Sequence, residues 1–307
     1  TVTHLIVNDI NEFFLITIPL HSIIASAFGN SVNWLKLNNN LQFIDTIFNN
    51  KGKKEKCLFN SVLVQLVFYS VTFLYGILRI IYLTKNQMGT PTYIMYALHE
   101  FCYLYNVLLH FLIINIAMAL KYRYEDMNGL LNATGPPLSQ EILHIRSTKS
   151  IRKIGSISRI LAETVEAFNN IFGLLFVLII GRNIMQMLRS LNYTIDGFLQ
   201  TEQHFKDALF FGNIILIAHT MIITATVMIF CDAVETESKR GIFLCYKLQE
   251  QFSEHSDKRK ELFNLGHQLK ANTVKITAAN FFRINKTTLF TIFGTTTTYF
   301  IVLVQFN

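Results

Sequence analysis

Apolar residues along this chain collect in long runs, separated by polar and basic gaps. Six runs are long enough to cross a hydrocarbon layer of about 30 Å as helices, which takes about 20 residues. They lie at roughly 5–29, 58–83, 93–120, 165–188, 209–231 and 288–306. The first is the weakest, because Asn8, Asp9, Asn11 and Glu12 interrupt its start. Helical spacing persists in the gaps. In "IRKIGSISRILAETVEAF", Ile151, Ile154, Ile157, Ile160 and Leu161 recur at the interval of one helix face. In "VETESKRGIFLCYKLQEQF", Ile242, Cys245, Leu248 and Phe252 do the same. These stretches are predicted to carry the spans beyond the bilayer and to pack together there. "NATGPP", 132–137, is the clearest loop, and "SEHSDKRKE", 253–261, reads as a solvated charged turn.

Composition supports a lipid setting. Of 307 residues, 51% are hydrophobic and 15% charged, whereas a soluble domain carries about a quarter charged residues. The net charge of +7 does not point to nucleic acid, because the basic residues sit in the gaps between apolar runs. There they report topology, since cytosolic connections are enriched in Lys and Arg. The gap after the first run holds Lys36, Lys51, Lys53, Lys54 and Lys56. The gap after the third holds Lys121, Arg123, Arg146, Lys149, Arg152, Lys153 and Arg159, and Lys239–Lys286 holds ten basic residues. The alternate gaps hold only Lys85, or Arg189 and Lys206. The first, third and fifth gaps are therefore expected in the cytosol and the C-terminus outside. With the first gap cytosolic, the chain enters its first visible run from outside, so one further span is expected upstream, and Thr1 is not an initiator Met. The predicted fold is all-α and polytopic, with seven transmembrane helices (six visible), a cytosolic N-terminus and an extracellular C-terminus. It divides into a helix bundle at 1–231 with cytosolic extensions at about 121–165, cytosolic helices at 232–287, and a last helix at 288–307.

The candidate chemistry is that of a receptor or pore. There is no nucleotide loop, GxSxG, HExxH or paired CxxC, so neither an enzyme nor a cofactor is expected. The four cysteines lack metal-ligand spacing and read as free or buried thiols. Asn192 opens a glycosylation sequon in a gap assigned outside, while those at Asn132 and Asn285 fall on the cytosolic side. Polar residues gather in the outer halves of the second to fifth spans: Tyr75, Arg79, Tyr82, Tyr96, His99, Tyr103, Asn106, Arg182, Asn183 and Asn213. They could line a small-molecule pocket, or pack between helices in the ordinary way. His110 and His219, at mid-span, suit hydrogen bonds to a neighbouring helix, and Arg79 and Arg182 could snorkel. In the last span, Gly294, Thr298, Ile301 and Gln305 share one helical face, and Tyr299, Val302 and Phe306 share the next. A glutamine gains nothing from lipid. If several copies surrounded an axis, a modest rotation would exchange Phe306 for Gln305 there, and with it a dewetted barrier for a wetted one. A packed helix with one interhelical hydrogen bond is the alternative.

The run Thr298-Tyr299-Phe300-Ile301-Val302-Leu303-Val304-Gln305-Phe306 resembles the terminal TY-(five apolar)-QF signature of insect gustatory receptors. "AANFFRINKTTLFTIFGTTTTY" looks like that family's last cytosolic helix entering its last span, and "LKYRYEDMNGLL" like the stretch after its fourth. The resemblance covers most of the chain in pattern, and its specific part is the last 30 or so residues. It implies a ligand-gated, non-selective cation channel in the plasma membrane of a taste neuron. The assembly would be a homotetramer, with hetero-subunits possible, surrounded by membrane lipids. Phe306 would be the gate, Gln305 the residue that replaces it on opening, and Val302 a second constriction. The ligand would be a tastant. Trp34, the only Trp, lies at a cytosolic end, which leans the reading toward a bitter compound over a sugar. A G-protein-coupled-type receptor would need the reverse orientation, and a transporter would need internal repeats, which are absent from the sequence.

Overall fold

The computed structural model describes residues 2–48, 90–134, 144–199 and 203–306, together with 65–67, 69, 70, 73, 74, 76 and 77. Most of the second predicted span, including Tyr75, Arg79 and Tyr82, lies outside the described residues. The helices are α1 (Val2–Ile24), α2 (Ser31–Phe48), α3 (Thr90–Asn132), α4 (His144–Leu199), α5 (Gln203–Gln249), α6 (Asp257–Ala271) and α7 (Lys286–Phe306). A π-helical turn, Ala25–Gly29, joins α1 to α2. Two short strands, β1 (Thr277–Ala278) and β2 (Phe282–Arg283), precede α7. Among the described residues, four helical stretches are long and apolar enough to cross a membrane: Ile6–Ala27, Ala97–Asn132, Ser150–Tyr193 and Ile214–Gln249. α7, with 21 residues, is not one of those four, although about 30 Å of helix would reach across.

The core is built from repeats of three and four. On α5, Thr220, Thr224, Val227, Cys231, Val234, Ser238, Gly241, Cys245 and Leu248 are all buried, at alternating steps of four and three. On α4 the same stepping joins Ile151, Ile154, Ser158, Leu161, Val165, Phe168, Phe172, Leu175 and Ile179. On α3 it joins Asn106, His110, Ile113, Ala117, Leu120, Tyr124, Met127 and Leu131. A repeat averaging 3.5 keeps one seam facing the neighbouring helix over many turns, so three long rods stay in contact from end to end. Small residues set their separation: a Cβ on Gly241 would lie 2.8 Å from Asn128 Oδ1 of α3. Cys102, Cys231 and Cys245 are buried free thiols that fill such positions. The stripe predicted at Ile151–Leu161 lies within α4, and of the second stripe Ile242, Cys245 and Leu248 lie within α5, which ends at Gln249 before Phe252.

Two expectations need correction. The stretch 253–261 is not all turn. Ser256 caps a helix by accepting a hydrogen bond from Arg259 N at 3.3 Å, and Asp257 stands in its first turn, both favourable at a helix N-terminus. Nor does a helix lead into the last span. Residues 277–283 form an antiparallel hairpin, with Thr277 opposite Arg283 and Ala278 opposite Phe282. Ala279 and Asn280 make its turn at φ of 48° and 63°, the positive pair of a tight hairpin turn. The side chain of Asn169 on α4 holds the hairpin as a neighbouring strand would. Its Nδ2 donates to Lys275 O at 2.8 Å and its Oδ1 accepts from Thr277 N at 3.2 Å. Beside it, a Cβ on Gly173 would sit 3.0 Å from Ala279 N.

The basic ends of the rods are tied by charges. Arg123 of α3 pairs with Asp45 of α2, and Arg152 of α4 with Glu261 of α6 at 2.6 Å. Lys286 at the start of α7 pairs with Asp232 of α5 at 3.3 Å. Asn128 donates to Glu237 O at 2.9 Å, and Gln268 to Gly155 O at 3.2 Å. The residues expected at the opposite end, including His99, Arg182 and Arg189, do come together there.

Candidate functional site

At that far end, α1, α3 and α4 meet through a shared carboxylate. Glu12 of α1 accepts from Arg189 of α4 at 2.9 Å and lies 3.3 Å from His99 Nε2 of α3. Asn8 accepts from the same guanidinium at 3.3 Å. Glu100, buried on α3, lies 3.8 Å from His99 Nδ1. The polar residues that weaken the first apolar run are therefore partners of a cation on another helix. Breaking one member of a buried pair costs about 3–5 kcal/mol, and an exposed pair contributes about 0–1. Side-chain exposures of 35% for Glu12 and 14% for Arg189 place this pair between the two.

Two turns deeper on α4, Arg182 is 5% exposed. Its guanidinium carbon lies 5.4 Å from the centre of the Tyr103 ring, and the Tyr103 hydroxyl hydrogen-bonds His219 Nδ1 at 2.9 Å. No carboxylate of the described residues pairs with Arg182, and its Nε is buried without a hydrogen-bond partner. A cation over an aromatic face gains about 0.5–2 kcal/mol, less than the several kcal/mol that desolvating an ion costs. The site thus holds a positive charge that these side chains do not balance.

Around it the polar groups divide into satisfied and unsatisfied. Asn183 donates to Thr224 Oγ1 at 2.8 Å, a plain interhelix bond. Asn106 donates to Cys102 O at 2.8 Å and Leu15 O at 3.4 Å, and His110 Nδ1 donates to Asn106 O. For Asn183, and for the amide nitrogen of Asn106, packing explains the burial. His110 Nε2, Asn106 Oδ1 and both amide atoms of the fully buried Asn11 have no partner among the described residues. Of the residues expected to line a pocket, His99, Tyr103, Asn106, Arg182 and Asn183 gather on α3 and α4. Tyr96 and Asn213 lie in α3 and α5, with side chains outside the described set. Asn8, Asn11, Glu12 and Arg189 were not expected here. Opposite charges at matching depths on two spans are the signal that would have found them. Asn192, the expected glycosylation candidate, is 4% exposed within α4, whereas a glycan needs an exposed asparagine.

The other feature is α7. Leu289, Ile292 and Thr296 are buried, and the helix packs on α4 and α5. Gly294, Thr295, Thr298, Ile301, Val302 and Gln305 are exposed, and Tyr299 is half-buried. The exposed arc thus takes in the first face read from the sequence and Val302 of the second. Phe306 ends the helix, with its side chain outside the described set. Threonine hydroxyls within the arc donate to the carbonyl one turn back, as Thr298 does to Gly294 O at 3.0 Å. Asn285, the first residue of a sequon, caps α7 by accepting from Thr288 N at 3.0 Å.

A sequence model described as "7tm Chemosensory receptor" matches residues 5–307. No curated protein sequence matches the chain. Among solved structures, the insect olfactory receptor OR5 from Machilis hrabei superposes with a TM-score of 0.71 at 14% identity, covering 98% of this chain and 81% of that one. OR5 in complex with eugenol also matches, with a TM-score of 0.46 at 14% identity over 97% of this chain and 88% of that one. The first likeness is one of fold. Matched over nearly its whole length, the chain belongs to the 7tm chemosensory receptor family.

Proposed function

We propose that this chain is a gustatory receptor subunit, one of four around a central axis, forming a ligand-gated, non-selective cation channel in the plasma membrane of a taste neuron. The observation that carries this reading is the exposed arc of α7. Thr298 and Gln305 are left exposed by the described residues, and facing lipid would leave the glutamine unpaired in hydrocarbon. Facing an axis shared with other copies, the arc would line a water-filled path. Val302, Gln305 and Phe306, near the end of the helix, are the proposed constriction. The basic ends, including the cytosolic extensions at 121–165 and residues 232–287, form the cytosolic anchor. The far-end cluster of Glu12, His99, Tyr103, Arg182 and Arg189 belongs to the outer pocket for a small tastant, a bitter compound in preference to a sugar. Patch-clamp recording from cells expressing only this chain tests the proposal. A tastant panel should open a cation current, and silence with surface expression demonstrated would reject the homomeric channel.

A further inference from the structure

We infer that the far-end cluster takes a small organic acid, with its carboxylate held by Arg182. The inference rests on the reading of this cluster as the ligand site and names the chemistry of the ligand. Arg182 is buried, has no anionic partner among the described residues, and leaves Nε without an acceptor. Glu12, the acid beside it in the cluster, is engaged by Arg189 and His99. The guanidinium carbon lies 5.4 Å from the centre of the Tyr103 ring, an attraction that leaves the N–H donors to find their own acceptors. A buried charge is retained at a cost unless something of opposite sign meets it. A planar fork of N–H donors matches the two oxygens of a carboxylate. A phosphate would ask for more than one such cation, and a neutral acceptor would leave the charge uncancelled. His110 Nε2, on the neighbouring α3, is also buried without a partner among the described residues and could meet a further polar atom of the same molecule.

Thermal unfolding of the purified full-length protein tests this, using benzoate, cinnamate and octanoate as probes and their methyl esters as controls. The acids should raise the unfolding temperature saturably and the esters should not. Arg182→Lys, which keeps the charge and loses the fork, should weaken the apparent Kd by at least about tenfold. Arg182→Gln should abolish the saturable shift. Esters that stabilise as well as acids, acids that still bind to Arg182→Gln, or no binding by any of the three acids would each overturn the inference. If Arg182→Gln does not fold, the comparison of acid with ester and the Arg182→Lys variant decide. The same acids applied in patch clamp separate this inference from the reading beneath it. Arg182-dependent binding without current rejects the channel and keeps the site. Currents opened by other tastants, with no acid binding, reject the site and keep the channel.

Discussion

Glu12 shows what a single residue contributes here. It interrupts an apolar run, and read one span at a time it only weakens that span. In the fold it joins α1 to α3 and α4 through His99 and Arg189. Glu12→Gln keeps the shape and removes the charge that two cationic side chains face. It is expected to lower stability by about 1–3 kcal/mol, seen as a lower midpoint of thermal unfolding, whereas Glu254→Gln, on an exposed pair, should change little. At the proposed gate, Phe306→Ala should leak current without agonist, and an unchanged closed state would remove Phe306 from that role. These residues differ in legibility. Phe306 and Gln305 stand in a local motif that nine consecutive residues spell out. Glu12 and Arg189 are 177 residues apart, and only the packing of α1 on α4 brings them together.

At the scale of elements, the long helices were readable because their seams repeat for dozens of residues. The hairpin before α7 was not. Its turn is Ala279-Asn280, without the glycine that marks most tight turns, and its strands are two residues each, too short for an alternating pattern. What fixes it is tertiary: the clamp by Asn169 and the bare surface at Gly173. Gly173→Ala should therefore push the hairpin off α4 and destabilise the protein by about 1–3 kcal/mol, while also changing the agonist concentration for half-maximal current. Ala279→Gly should do the reverse and raise stability by up to about 1 kcal/mol, because alanine at positive φ is strained. Paired unfolding scans of the two variants check both signs. The exposed arc of α7 was legible as a helical face, and its extension to Val302 was not, since that depends on which side α4 and α5 cover.

For the whole molecule, the apolar runs foretold a helical membrane bundle, and the basic gaps were read for topology, not for the ion pairs that tie them. The position of the second run relative to the others lies outside the described residues. The basic end also leaves large aromatic side chains uncovered, Phe281 at 78% exposed and Phe243 at 67%. If copies associate there into the proposed tetramer, Phe281→Asp combined with Phe243→Asp should shift the purified protein toward smaller species, read by mass in solution. No change in mass would place the subunit contacts elsewhere. One further consequence comes from α4 itself. Its 56 residues make a rod of about 84 Å, and Gly173, where the hairpin rests, lies near its midpoint. A rod that pivots near its middle moves little at that point and most at its tips: a tilt of about 3° would carry each end through about 2 Å. The hairpin sits at the fulcrum of a lever. If a ligand near Arg182, part-way from the hairpin to the tip, tilted α4, the hairpin would feel it turn rather than travel, and the quantity handed on to α7 would be an angle.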